Sequence, residues 1–228
     1  MLKGIIFDLD STLIQAQIDF VEMKKHMIRL LEEHGHPEGE LSPTVQTTVQ
    51  IMECAREAWD KDEKSRDECQ TITDTIEGIM NKGELDAVVD LHEIEGACEA
   101  ITELKEKGLK LAILTRSHHE YALKALDKIN ALNFFDVVLG RNETPEPKPY
   151  RGAIDHTLKL IGLERGGVAM IGDHQIDSAS AANSGTMFIG VAAGRRGMKS
   201  WADQTPPEHF LPSVKELPGY LVERGFIK

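Results

Sequence analysis

The period of the apolar positions changes along the chain, and each change predicts a different kind of element. Leu2 to Phe7 carries Ile5, Ile6 and Phe7 in one short run, long enough for a buried strand and too short for a helix. It stops on Asp8-Leu9-Asp10-Ser11-Thr12-Leu13. From residue 16 to about residue 92 the pattern is helical. Phe20, Met23, Met27 and Leu30/Leu31 share one face, and Gly35 supplies a stop. Ser42-Pro43 reads as a helix start, with serine as cap and proline in the first turn. Val45, Val49, Met52, Ala55 and Trp59 then trace an apolar stripe. Another stripe is Cys69, Ile72, Ile76 and Ile79/Met80, ending near Gly83, and Leu85, Val88 and Val89 make a short last one. No strand-like run interrupts this stretch, so a small helical bundle is expected.

From residue 96 helices and strands alternate. Helices are expected over 96–107, 117–132 (with Ser117 as cap), 150–161 and 176–183, and strands over 109–114, 137–139, 168–171 and 187–191. Alternation with short connections predicts an α/β domain, a Rossmann-like parallel sheet with helices on both faces. The expected division is therefore a core of 1–15 and 96–228, interrupted by an all-helical insertion over 16–95.

Charge sharpens that division. The chain of 228 residues carries a net −12, and residues 16–95 hold 20 acidic against 8 basic side chains. The remainder holds 18 of each, so the whole excess lies in the insertion. Such a surface repels nucleic acid and anionic membranes. Cys54, Cys69 and Cys98 show no ligand spacing and suggest reduced thiols in a cytoplasmic protein. No run is long enough for a membrane span, and the N-terminus does not read as a signal peptide.

The candidate chemistry lies where the strands end, which is where open α/β sheets bind their ligands. Asp8 and Asp10 follow the first strand; residues two apart on a strand share a side, so both carboxylates are expected to face one pocket. Their repulsion calls for a cation or a shared proton. Thr115 follows the second strand, and Asp173 follows the strand at 168–171, with Asp177 one helical turn on. Lys148 sits in Pro145-Glu146-Pro147-Lys148-Pro149, just before a helix. Carboxylates, a hydroxyl and a lysine at one edge suit a phosphate and a hard cation such as Mg²⁺. Phosphate loops of the Walker or dinucleotide type are absent.

In order, spacing and strand context these residues resemble the haloacid dehalogenase superfamily of hydrolases, in its phosphatase branch. Asp8-Leu9-Asp10-Ser11-Thr12 matches the first family motif, Thr115 the second, Lys148 the third and Gly172-Asp173-His174-Gln175-Ile176-Asp177 the fourth. The insertion looks like that branch's cap. The resemblance implies a Mg²⁺-dependent phosphatase, most like the phosphoglycolate phosphatase group, acting on a small phosphorylated metabolite as a monomer or homodimer. By the same resemblance Asp8 is the nucleophile and Asp10 the proton carrier, with Thr115, Arg116 and Lys148 on the substrate. The metal falls to Asp8, Asp10 (through its main-chain carbonyl), Asp173 and Asp177. A carboxylate at position 10 favours phosphoryl transfer over dehalogenation.

Ser11 stands where the branch commonly has glycine, His174 where a small hydroxyl is usual, and Arg116 where a smaller side chain is common. His118, His119, Arg195 and Arg196 could approach the site but read more readily as surface residues. Arg141 could pair with Glu143 or Glu146, and Lys24, Lys25 and Arg56 are candidate cap cations. The competing functions are a phosphosugar mutase of the same family and, from another class, a non-catalytic phosphate-binding signalling or scaffold protein.

Overall fold

The first apolar run is strand β1 (Gly4–Phe7), flanked in the sheet by two later strands. In the computed structural model, which describes residues 1–192 and 207–228, Arg195 and Arg196 lie outside the described residues. Two short strands on either side of the helical stretch form a separate ribbon, β2 (Ile14–Gln15) and β3 (His92–Glu93). The main sheet adds β4 (Lys110–Leu114), β5 (Val137–Leu139), β6 (Val168–Gly172), β7 (Met187–Val191) and β8 (His209–Leu211), in the order β5-β4-β1-β6-β7-β8. All its pairings are parallel, as the alternating pattern predicted.

Every residue of β1 and β6 is buried. Neighbouring strand residues face opposite ways, so both faces of the sheet are covered, and these strands read as unbroken apolar runs for that reason. Ile6, Ala112 and Met170 share one face, packed against Ile154 and Leu158 of α6 (Arg151–Ile161) and Ala181 of α7 (Gln175–Ser184). The opposite face holds Ile5, Phe7, Leu111 and Ile113, all fully buried, and the Phe7 ring meets Phe135 edge-on at 6.3 Å. Of the remaining helices in this part, α4 (Ala97–Glu106) buries the expected Ala97, Ile101 and Leu104, and α5 (His119–Lys128) follows β4. Strand β8 and helix α8 (Leu217–Glu223) come after the last element the pattern predicted.

The chain divides into two compact units, Met1–Ala16 with Val88–Lys228, and Gln17–Ala87. The return point comes earlier than residue 96. The reason is pairing: Ile14 faces Glu93, Gln15 faces His92, and Ile94 N–H donates to the Leu13 carbonyl at 2.9 Å, which ties 92–94 to the sheet unit.

The helical unit contains α1 (Phe20–Glu33), α2 (Thr48–Lys61) and α3 (Arg66–Asp86) around Met27, Leu31, Ile51, Ala55, Ile72 and Ile76. Two of its boundaries differ from those expected. Helix α2 starts at Thr48, because Thr47 and Gln50 cap each other reciprocally and satisfy two end N–H groups at once. Ser42 instead shares a hydrogen bond with Thr44, and Val45 is exposed outside the helix. Helix α3 runs through Gly83 and takes in Leu85, with a 3₁₀ turn over Ala87–Asp90 after it. A side chain at 83 would come within 2.9 Å of the Met23 methyl, so this glycine allows α1 to approach rather than ending α3.

Candidate active site

Strand β1 ends at Phe7, so Asp8 and Asp10 lie in the turn beyond it rather than on the strand. In that turn the Leu9 carbonyl accepts from the N–H groups of Thr12, Leu13 and Ile14, and Ser11 N–H donates to the Ile14 carbonyl at 2.8 Å. The fold back requires a left-handed residue, and Ser11 adopts φ 64 there. This accounts for glycine in that place elsewhere: a side chain in this conformation costs about 1–2 kcal/mol. Strand alternation therefore does not govern the two carboxylates, and they reach different surroundings.

Asp8 belongs to an ionic cluster. Lys148 Nζ lies 2.6 Å from Asp8 Oδ1 and 2.6 Å from Asp177 Oδ1, and the lysine is 3% exposed. Asp173 completes a set of three buried carboxylates with oxygens within 4.8 Å of one another. Several neighbours position this cluster. Asp8 N–H donates to the Ile171 carbonyl at 2.9 Å, which fixes the acid beside β6. The proline loop is anchored after Lys148 by Asn183 Nδ2, which donates to the Pro149 carbonyl at 3.0 Å, and the Lys148–Pro149 peptide is cis.

Asp177 is held at the start of α7, where its Oδ2 accepts from His174 N–H at 3.2 Å. His174 Nδ1 in turn accepts from Ile176 N–H at 3.2 Å, so the imidazole performs the capping task of a small hydroxyl residue. Gly172 makes room: a side chain there would collide with the Asp177 carboxylate.

Burial pushes the Asp177 carboxyl up to about 6; the negative charge of Asp8 adds to this, against Lys148 and the His174 N–H. Burial works to lower Lys148, but Asp177 and Asp8 outweigh it and its pKa ends raised. Among the described residues one lysine faces three carboxylates, and an excess of buried negative charge is costly unless a cation balances it. The donor set is entirely anionic oxygen and fits a hard divalent cation; nothing in it suits a soft, thiolate-preferring metal.

Asp10 stands outside that group. Its Oδ2 accepts from Ser117 Oγ at 2.7 Å and its Oδ1 from the Tyr121 hydroxyl at 2.6 Å. Ser117 was expected to cap the helix; His118 occupies the cap position instead, and the serine hydroxyl turns to Asp10. Thr115, at the end of β4, is buried, with its N–H on the Leu139 carbonyl at 2.9 Å and its Oγ1 accepting from Ser117 N–H at 3.1 Å. Arg116 is half-buried and its carbonyl accepts from the Arg141 guanidinium at 3.3 Å. Tyr121 escaped the sequence reading as a site residue. A signal was present: Ser117 and Tyr121 stand four apart just after a strand end that already carried Thr115.

The weaker candidates have other partners. His119 pairs with Glu143 at 2.5 Å, and the same carboxylate accepts from Gly140 N–H. Glu146 accepts from Gly152 N–H. In the helical unit Lys24 donates to the Gln46 carbonyl, Lys25 pairs with Glu22, and Arg56 is exposed.

A parallel α/β sheet whose carboxyl edge gathers three buried carboxylates and a lysine suits a phosphate group and a hard cation. The chain belongs to the haloacid dehalogenase-like hydrolase family, whose model matches residues 5–191. It is 25% identical to a phosphoglycolate phosphatase of Neisseria meningitidis over 95% of this chain and 92% of that protein. It is also 24% identical to the pyrophosphatase PpaX of Bacillus cereus, over 95% and 94% of the two chains. A haloacid dehalogenase-like hydrolase of Bacteroides fragilis shares the fold, with a TM-score of 0.67, 18% identity, and coverage of 95% of this chain and all of that one. The family makes the chain a hydrolase, with phosphatases among its named relatives, and no helix among the described residues is long and apolar enough to cross a membrane.

Proposed function

We propose that the protein hydrolyses a small phosphate monoester through an aspartyl-phosphate on Asp8, with Asp10 as proton carrier. The observation that carries this reading is the Lys148 bridge between Asp8 and Asp177 with Asp173 in reach. A carboxylate attacks an anionic phosphate only where nearby positive charge cancels the repulsion, and here the positive charge touches the carboxylate itself. Lys148 uses two of its N–H donors on the acids, and the third is available to a phosphoryl oxygen. Thr115 adds a hydroxyl at the same edge.

In the first step an Asp8 oxygen bonds to phosphorus, the ester P–O bond breaks, and the leaving oxygen takes a proton from Asp10. In the second, water attacks the phosphorus, gives its proton back to Asp10, and the bond to Asp8 breaks, releasing phosphate. Asp8, Asp173 and Asp177, with the Asp10 carbonyl, would hold Mg²⁺, which when bound draws charge from the phosphoryl oxygens. The helical unit over 17–87 would act as the cap that selects the substrate. The similarity to the Neisseria phosphatase makes a short phosphorylated acid such as 2-phosphoglycolate the first substrate to try; the PpaX similarity makes pyrophosphate the second. Three unbridged cysteines accord with a cytoplasmic setting.

The test is phosphate release from a panel of phosphate monoesters and pyrophosphate, with Mg²⁺ and with EDTA. Release that needs Mg²⁺ and is absent in Asp8→Asn supports the reading. No release from any compound, or Asp8→Asn matching the wild type, rejects it.

A further inference from the structure

We propose that Tyr121 and Ser117 are positioning residues for the proton carrier, each holding one oxygen of the Asp10 carboxylate. This rests on the phosphatase reading above and concerns how its acid is aimed. Both hydroxyls come from the segment that leaves β4. Tyr121 lies in the first turn of α5, and Ser117 precedes that helix by two residues. The two hydroxyls donate to different oxygens, at 2.6 and 2.7 Å, so the plane of the carboxylate is pinned at both ends. Hydrogen bonds to an ionised acceptor are the stronger kind.

Neither donor can drift. Tyr121 is the largest fully buried side chain among the described residues, and its ring is held by the core on all sides. Ser117 is fixed by its backbone, whose N–H donates to Thr115 Oγ1 at 3.1 Å and whose carbonyl accepts from Arg141 N–H at 2.7 Å. A buried tyrosine needs only some acceptor for its hydroxyl, and a carbonyl would serve. That two hydroxyls converge on one carboxylate, two residues from Asp8 and separate from the lysine cluster, points to Asp10 as the group being served.

Each carboxyl oxygen has room for a second partner, so Asp10 keeps both hydroxyls while one oxygen carries the proton to be delivered. Losing one hydroxyl frees the carboxylate to turn, and the acid meets the leaving oxygen less often. The loss then scales with how much the leaving group needs the proton. An alkoxide needs it; p-nitrophenolate leaves without it.

The experiment compares kcat/KM for an alkyl phosphate monoester that the wild type cleaves and for p-nitrophenyl phosphate. This parameter reports steps through leaving-group departure only when that departure is irreversible, so initial rates without added product are used. Tyr121→Phe is expected to lower kcat/KM about tenfold on the alkyl ester and within about twofold on p-nitrophenyl phosphate, the scale of one lost hydrogen bond. Ser117→Ala is expected to do the same, and Ser117→Thr, which keeps a hydroxyl, to restore the alkyl rate. In an Asp10→Asn background neither change adds a further loss. Equal losses on both substrates, or losses that add to Asp10→Asn, overturn the proposal and leave the phosphatase reading intact. No hydrolysis of any ester by the wild type overturns that reading and this proposal with it. If Tyr121→Phe does not fold, the Ser117→Ala and Ser117→Thr pair decides by the same criterion.

Discussion

Asp8 and Asp10 are separated by a single residue, yet among the described residues Asp8 meets an ammonium group and Asp10 meets two hydroxyls. Asp8 meets Lys148 and shares its surroundings with Asp173 and Asp177. Asp10 meets Ser117 and Tyr121. The difference suits the two tasks proposed for them. A nucleophilic carboxylate must stay ionised next to an anion, and a fixed cation achieves this. A proton carrier must exist with and without its proton, so neutral donors that tolerate both states suit it better than an ammonium group.

The most direct way to break the comparison is to exchange each acid for its amide. Asp10→Asn should lower turnover by about 10²–10⁴, the range for a general acid, while leaving the Mg²⁺-dependent rise in melting temperature in place. Asp8→Asn should remove turnover and most of that rise. Equal effects on metal-dependent melting would mean that the two sides are not distinct.

Lys148→Met attacks the ionic side alone. It leaves Asp8 and Asp177 without the lysine that bridges them, and breaking such a buried pair is expected to cost about 3–5 kcal/mol in denaturant unfolding without metal. An unchanged midpoint would mean the lysine does not hold that side together. Gly172→Ala is milder: its methyl group would displace Asp177, and overpacking of this kind costs about 1–3 kcal/mol. Calorimetry should show the loss together with weaker Mg²⁺ binding, and a variant that binds Mg²⁺ as the wild type does would argue against Asp177 near the metal.

Ser11→Gly tests the turn that follows the two acids and should raise stability by about 1 kcal/mol at most, since relief of the left-handed strain outweighs the freedom glycine adds to the unfolded chain. A loss instead would reveal a contact made by the serine side chain.

The smallest expected effect is a pH dependence at a carboxylate outside both settings. Burial raises Asp136, but its hydrogen bond to Lys105, the Leu111 N–H and the nearby charges of Lys105 and Lys110 outweigh it, and its pKa ends lowered. Its stabilisation is therefore present above the ordinary Asp range and lost as pH falls through its lowered value. Asp136→Asn should cost less than about 1 kcal/mol near neutral pH, with the gap to wild type closing in acid. A gap that widens in acid would reverse the assigned sign.

How much of this could be read in the chain depends on the element. The sheet unit was legible because β1 and β6 are unbroken apolar runs, β4 is apolar after Lys110, and helices there end at glycines such as Gly162 and Gly185, both left-handed in the structure. In the helical unit the stripes were legible but the ends were not. Ser42-Pro43 and Thr47 with Gln50 are both plausible starts, and only the reciprocal cap selects the second. Gly83 resembles a stop in one dimension, and the close Met23 makes it a spacer in three.

The same limit applies at the site. Asp8, Lys148, Asp173 and Asp177, which the structure brings together, could be singled out because each follows a strand or a loop at one edge, and order along the chain conveys that. The partner of each acid is a matter of tertiary contact. Lys148 is 140 residues from Asp8, and Tyr121 is 111 from Asp10. Sequence alone determined the parallel α/β class, the helical insertion and the candidate residues for phosphoryl chemistry, because apolar period and strand-end position are local properties. The tertiary structure alone decided that two neighbouring carboxylates meet different partners, Asp8 a lysine and Asp10 two hydroxyls. Direction in space is set by backbone dihedrals and distant partners, and neither is written in the spacing of Asp8 and Asp10.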